Sequence, residues 1–412
     1  MRTFVLLLAT VLLAAASVSA ASFQLSNTLG DHMVLQRAPA SAVVFGFADP
    51  GVVVRTTFNG TEYQTTTTSQ GVWRQALPPT QAGGPYTISF SSSDGDSAQL
   101  LDVLFGEVFF CGGQSNCQMT MDICNNATAE IASANSYPNI RVFTVGQGTS
   151  SNTPLTQLGT IAQKWTSASS SSIGGPSWGY FSGLCWLFGK SIYQSLGGNV
   201  PVGLVSNNWG GTSIQQWCSA CTYLISSTRR ARRLAFAHTS LVARACVCVC
   251  LRRSTYIIAA LKACNGPAGS NNLFNAMINP YVQGPMAAKG MIWYQGESNV
   301  GQASYYSCQF PVMIDDYRKL FKAPNMYFGF VQISGYNYGT DQSPAYLREA
   351  QLSALQLPNV GLASAVDVGM AFDIHPTGTH RITAHISTIN GTDGFSSSSM
   401  IDRQANPRRP LG

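Results

Sequence analysis

Charge is scarce in this chain of 412 residues: Asp, Glu, Lys and Arg together make up 10%, against 45% hydrophobic residues. Disordered chains are poor in apolar residues and rich in charge, so disorder is excluded as a global description. Carboxylates are rarest in the middle, where no Asp or Glu occurs between Glu130 and Glu297. Only five histidines are present, which keeps the candidates for a general base few. Long apolar runs are missing too, apart from Phe4 to Ala16, with Arg2 before it and the small residues Val18, Ser19 and Ala20 after it. This run falls short of the roughly 20 residues a membrane span needs, and its flanks are those of a cleaved secretory signal over residues 1–20. The expected product is secreted or lysosomal, with no membrane association after cleavage.

What is present fits that route. Eleven cysteines in an oxidising lumen are expected to be mostly disulfides, with the odd number leaving at least one thiol over. Asn59, Asn126 and Asn390 each open a glycosylation sequon, a weak signal singly. The formal charge of +6 normally points to an anionic partner, but residues 225–255 hold seven arginines and no carboxylate, so the excess is one local run. The run also holds Cys246, Cys248 and Cys250, whose one-residue gaps lack the spacing of a thiolate zinc knuckle. Aromatic residues other than Phe236 do not interleave its arginines, so neither metal nor nucleic acid is expected as a partner.

From Phe23 to about Glu107, runs rich in Val, Thr, Tyr and Phe alternate with turn signals such as Asp49-Pro50-Gly51 and Asn59-Gly60. This pattern predicts a small β-sandwich over 22–106. Beyond it, the apolar runs Val108–Phe110, Val202–Val205 and Gly290–Tyr294 are separated by stretches of helical spacing, including Gly183–Leu196 and Tyr305–Leu320. Continuous apolar strands alternating with helices predict an α/β domain over 107–376, built on a parallel sheet covered on both faces. Loops at the carboxyl ends of such strands collect ligand groups, so the residues directly after each run matter most.

After the first run comes Gly112-Gly113-Gln114-Ser115-Asn116. Glycines permit a sharp turn that lifts a hydroxyl to the strand's end, which makes Ser115 a candidate nucleophile, although serine also caps helices. The second run leads into Trp209-Gly210-Gly211-Thr212, where amides free of bulky neighbours can approach a developing oxyanion. The third delivers Gln295-Gly296-Glu297-Ser298-Asn299: Gln295 or Asn299 as oxyanion donor, Glu297 as acceptor for loop amides. Near the end, Asp373-Ile374-His375-Pro376 offers an imidazole to carry the hydroxyl proton and a carboxylate to orient it. His32 in the β-rich region and His238 in the arginine run are poorly placed; His380 and His385 are the remaining competitors.

The motifs G-Q-S-N, W-G-G-T, W-Y-Q-G-E-S-N and D-I-H-P, in that order, resemble those of the sialate O-acetylesterase family within the SGNH hydrolases. The resemblance covers most of 23–376 and includes Asp31–Gln36, Gly71-Val72-Trp73 and Leu347–Gly369. It implies Ser115 as nucleophile, His375 as base, Asp373 as its orienting acid, and an oxyanion site from the N–H of Ser115, the N–H of Gly210 or Gly211, and the Gln295 side chain. The implied reaction is hydrolysis of an acetyl ester on a sugar hydroxyl, typically of sialic acid, through an acetyl-serine and without metal or cofactor. An acetylated polysaccharide of the xylan type is the alternative substrate. A non-catalytic glycan-binding product is the alternative outside enzymes.

Three features depart from the family pattern. Cys117 stands where methionine is usual, the arginine run begins soon after Trp217, and the tail 377–412 is polar and serine-rich where a lysine and a helix are usual. The tail reads as truncated or disordered. We read 225–255 as an insertion of gene-model or splicing origin. Transcript sequencing across it is expected to yield a form without the run, and a peptide of the mature protein containing Cys246 overturns that origin.

Overall fold

Valine, threonine and aromatic residues suit a pleated, half-buried surface, and the first part of the chain forms short strands from them. They are β1 (Gln24–Leu25), β2 (Val34–Gln36), β3 (Val43–Phe47), β4 (Val53–Phe58), β5 (Thr61–Thr66), β6 (Val72–Ala76) and β7 (Gly83–Ser92). This structure, a computed structural model, describes residues 23–219 and 271–378. The expected signal over 1–20, the run 225–255, the tail from 379 onward, Asn390 and the histidines at 238, 380 and 385 lie outside the described residues. In β4, Val54, Thr56 and Phe58 are buried while Arg55 and Thr57 face solvent, the alternation expected of a strand with one wet face. Strands β1, β3 and β6 form an antiparallel three-stranded sheet, while β4, β5 and β7 belong to a second, larger one. Trp73 of β6 and Phe90 of β7 bring the two sheets together, their ring centroids 5.5 Å apart.

The next strand, β8 (Ser97–Gly113), is 17 residues long and serves two regions. Its first part pairs antiparallel with β7 and, at Leu104–Gly106, parallel with β2. Its second part, from Glu107, lies in a parallel sheet, so the chain passes 106–107 without a break in pairing. At that crossing the Glu107 carboxylate is buried and held by Gln36 Nε2 at 2.7 Å and Arg37 Nε at 2.9 Å. Charge-assisted bonds of this kind offset the cost of burying the carboxylate.

The remaining strands are β9 (Ile140–Val145), β10 (Ile161–Ser167), β11 (Val202–Asn208), β12 (Gly290–Tyr294), β13 (Tyr327–Gln332) and β14 (Val360–Ser364). Their order is β10-β9-β11-β8-β12-β13-β14, parallel throughout except for β10 at the edge. With β2, β4, β5 and β7 of the first region, these seven strands form one mixed sheet of eleven among the described residues, flanked by helices. Side-chain alternation divides its core into two layers. Phe109, Cys111, Leu204, Ile292 and Tyr294 pack with Leu184, Trp186 and Phe188 of the helix Gly183–Ser195. Val108, Phe110, Val205, Met291 and Trp293 pack with Tyr306, Phe310 and Ile314 of the helix Ala303–Leu320. Burial on both faces is why these strands read as continuous apolar runs.

A disulfide from Cys111 in β8 to Cys185 in the helix Gly183–Ser195 ties one layer covalently to the sheet, and Cys308 is disulfide-bonded as well. Cys117, Cys124 and Cys218, in contrast, are buried thiols, and the other five of the eleven cysteines lie outside the described residues. The three thiols serve the core as small apolar side chains, and burial pushes the Cys117 thiol up to about 12, far from reactive thiolate. The Cys111–Cys185 bridge closes a sequence separation of 74 residues. Replacing both cysteines by alanine is expected to lower stability by about 2–4 kcal/mol; an unchanged urea midpoint shows that the bridge contributes nothing.

Candidate active site

At the end of β8 the backbone has no room for a side chain. Gly113 has φ of 140°, and a Cβ there would lie 2.1 Å from the Tyr294 carbonyl oxygen. Only glycine accepts that conformation and that contact. The Gln114 N–H then donates to the same carbonyl at 3.0 Å, and a single helical turn, Ser115–Gln118, begins. Ser115 is partly exposed between buried Gln114 and Asn116, and its N–H belongs to the first turn, where a helix supplies no acceptor.

The loop after β11 lies directly against this turn. A Cβ on Gly210 would come within 3.3 Å of Ser115 Cβ, and the Gly210 N–H donates to Gln118 Oε1 at 2.6 Å. After β12, the turn Glu297–Asn299 brings the Glu297 carboxylate to Asn116, whose Nδ2 donates to Oε1 at 2.6 Å. The same Nδ2 donates to the carbonyl of Ile374 at 3.1 Å, which fastens the histidine loop to the turn bearing Ser115. In that loop Asp373 Oδ1 accepts from the His375 backbone N–H at 2.8 Å and lies 3.3 Å from Nδ1.

A cavity of about 500 Å³ opens between these loops. Ser115, His375, Gly210, Gly211 and Glu297 line it, and Asp373 adjoins it through His375. Gln295 and Asn299 do not line it, contrary to the expectation that one of them supplies an oxyanion donor. Both are fully buried, and Gln295 Nε2 donates to Asn299 Oδ1 at 2.8 Å, Gln114 Oε1 at 3.2 Å and the Thr212 carbonyl at 3.2 Å. Asn299 Nδ2 is committed to Gln215 and Gln302. Their amides brace the loops from behind. Gly210 is corrected in part as well: it lines the cavity, but its N–H is already spent on Gln118. His32 pairs with Asp102 in a separate cluster that also contains Arg141.

Sequence reasoning did not single out Gln118 or Trp178, both of which line the cavity. Gln118 Nε2 donates to Gln147 Oε1 at 3.0 Å and to the Trp178 carbonyl at 2.5 Å, while its Oε1 holds Gly210. Trp178 packs on His375, ring centroids 4.9 Å apart and planes at 66°. The only local sign of Trp178 is its setting, Gly174-Gly175-Pro176-Ser177-Trp178-Gly179, which predicts a turn and not a contact. Asn116 stood inside a quoted motif, yet its bridge to the histidine loop is invisible in one dimension.

Burial raises the pKa of Glu297 above the ordinary 4.5, while the amides of Glu297 and Gly296 and the Asn116 side chain pull the other way. One carboxylate oxygen, Oε2, is shielded from solvent without a well-formed hydrogen bond. As pH rises through 4.5, the unfolded chain releases this proton first and the folded chain still holds it, so stability falls until the folded group ionises too. Glu297→Gln removes the titration and keeps an oxygen for Asn116. The melting temperature of this variant relative to wild type is expected to rise as the pH is raised above 4.5; a constant difference contradicts the shift.

The family model for carbohydrate esterases described as sialic acid-specific acetylesterase matches residues 106–385. Sialate O-acetylesterase of Mus musculus is 32% identical over 387 residues, covering 87% of this chain and 71% of the relative. The Homo sapiens protein of the same name is 30% identical over 329 residues, 76% of this chain and 57% of the relative. Among solved structures, a carbohydrate acetylesterase from Xanthomonas citri superposes with a TM-score of 0.71 at 29% identity, over 89% of this chain and 74% of that one. By the family match over 106–385 and the identity to the Mus musculus protein, the chain belongs to the sialic acid-specific acetylesterase family of carbohydrate esterases.

Proposed function

We propose that this protein hydrolyses acetyl esters on sugar hydroxyls, with O-acetylated sialic acid as the first substrate to consider, through an acetyl-serine at Ser115. The observation that carries the reading is that Ser115 and His375, from the two ends of the α/β region, line one cavity. Family membership supports the ester and the sugar.

In the proposed reaction His375 accepts the Ser115 hydroxyl proton as Oγ attacks the acetyl carbonyl. The carbonyl oxygen becomes an oxyanion, for which the Ser115 N–H is one donor. Because Gly210 already donates to Gln118, Gly211 is the glycine left to serve as a second. Collapse of the tetrahedral species breaks the ester bond, and the imidazolium returns its proton to the departing sugar hydroxyl. Water then attacks the acetyl-serine with the same residue as base, which releases acetate and restores Ser115. Asp373 holds the histidine loop by its backbone bond, and its Oδ1, 3.3 Å from Nδ1, is placed to orient the imidazole.

The finer architecture belongs to the same reading: an SGNH-like parallel sheet preceded by a small β-sandwich, for which the Trp73–Phe90 contact between the first two sheets is the support. So does a secreted or lysosomal location, supported by the leader-like residues 1–20 and the Cys111–Cys185 disulfide.

Acetate release from 4-nitrophenyl acetate, mixed O-acetylated sialic acids and acetylated xylan tests the proposal. Wild type is expected to act on the sialic acids, with Ser115→Ala and His375→Ala slower by about 10³-fold or more. Preference for xylan moves the substrate to plant polysaccharide. Equal rates in all three proteins remove the Ser115–His375 assignment, and an inert wild type favours the glycan-binding alternative.

A further inference from the structure

Trp178 has φ of 63°, in the left-handed region that a large side chain avoids. Such a conformation persists only where its surroundings over-determine it, and it marks places where a side chain must be aimed. The ties on Trp178 are unusually complete. Its N–H donates to Thr120 Oγ1 at 3.0 Å, and its carbonyl accepts from Gln118 Nε2 at 2.5 Å. The neighbouring Ser177 hydroxyl donates to Asp122, whose other oxygen takes the Thr120 hydroxyl at 2.5 Å. Gln118 closes the turn that Ser115 opens, and Thr120 and Asp122 follow it directly. The indole is therefore mounted on the segment that carries the proposed nucleophile.

Its ring meets the imidazole of His375 at 4.9 Å between centroids, tilted by 66°, an edge-to-face arrangement in the range aromatic pairs prefer. The other ties on the histidine act mainly on its backbone: Asn116 binds the Ile374 carbonyl, and Asp373 binds the His375 N–H at 2.8 Å. The Asp373 contact to the ring itself is longer, 3.3 Å, and comes from a half-exposed carboxylate. Ring orientation is thus set more by the indole than by the acid.

We infer that Trp178 is a positioning residue: mounted in strained backbone on the segment after Ser115, it fixes the His375 imidazole relative to the Ser115 hydroxyl. The inference rests on the proposed roles of Ser115 and His375. A wall that merely stacks on sugar predicts something different, because such a wall acts on substrates with a sugar and leaves the turnover of a small ester alone.

The test compares wild type, Ser115→Ala, His375→Ala, Trp178→Ala, Trp178→Phe and Trp178→Gly on 4-nitrophenyl acetate and on an acetylated sugar, with melting temperatures for all. Trp178→Ala is expected to lose about 10–100-fold in kcat on 4-nitrophenyl acetate with KM within about two-fold, the cost of a misplaced catalytic group. Trp178→Phe, which keeps an aromatic edge, is expected to recover most of kcat. Glycine accepts the left-handed φ, so Trp178→Gly is expected to melt above Trp178→Ala while turning over as slowly. Wild-type kcat in Trp178→Ala overturns the inference, whether or not KM for the sugar ester rises. Loss in Trp178→Phe as deep as in Trp178→Ala, with both melting lower, also overturns it by showing a role in folding alone. If Ser115→Ala and His375→Ala are slow while Trp178→Ala is not, the inference alone fails; if they match wild type, the catalytic reading fails and takes it along.

Discussion

Between β11 and β12 the end of β8 is paired on both sides, and the Tyr294 carbonyl occupies the space where a side chain at Gly113 would go. The chain has no way forward in the sheet and must turn, and the turn puts Ser115 at the rim. All neighbours of β8 at this level run parallel to it, so the loops after β8, β11, β12 and β14 emerge on the same edge. Strand order also reverses here: from β8 the chain goes out to β9, returns to β11, and only then crosses to β12 on the other side. Loops that leave in opposite directions part at this place and open a crevice, as doubly wound sheets generally do. The cavity is a consequence of strand order, and its depth comes from the loops around it.

Those loops are knitted with neutral amides. Gln114 Oε1 accepts from Gln295 Nε2 and from the backbone of Gly296 and Ser298, while Asn299 connects Gln295, Gln215, Gln302 and the Ile214 amide. An amide side chain both donates and accepts, so a buried group of them satisfies itself without the desolvation cost of a carboxylate or a cation. This gives the stretch without Asp or Glu, between Glu130 and Glu297, a physical sense: among the described residues its buried polar positions, Arg141 apart, use asparagine, glutamine, serine and threonine. Glu297 then ends the stretch as an acid lining the cavity, its burial opposed by the one amide, Asn116, that also holds the histidine loop.

Much of this was legible in one dimension, and the misses have physical causes. Apolar runs announced β8, β11 and β12 because burial on both faces demands continuous apolar sequence, and the glycines that end β8 and follow β11 announced turns. Gln295 and Asn299 were expected at the oxyanion as amides emerging after the third apolar run, but both side chains are buried and hydrogen-bonded to Gln114, Gln215 and each other behind the cavity. Trp178 went unnoticed because nothing in its neighbours encodes a partner almost two hundred positions away. Which cysteines pair was not legible for a related reason: redox compartment permits disulfides, but only proximity makes them, and Cys117 and Cys218 sit in packed surroundings as thiols.

The sequence by itself determined which segments become strands and helices, where the backbone must turn, and which side chains are candidates for chemistry, because these follow from local periodicity, glycine's freedom and functional-group type. The tertiary structure decided which of those groups share a cavity and which stand behind it. That choice depends on strand order and on the direction in which each loop turns, quantities set by packing between segments distant in the chain. Ser115 and His375 could be named in advance as groups, but their meeting, and the indole that aims one at the other, exist only in three dimensions.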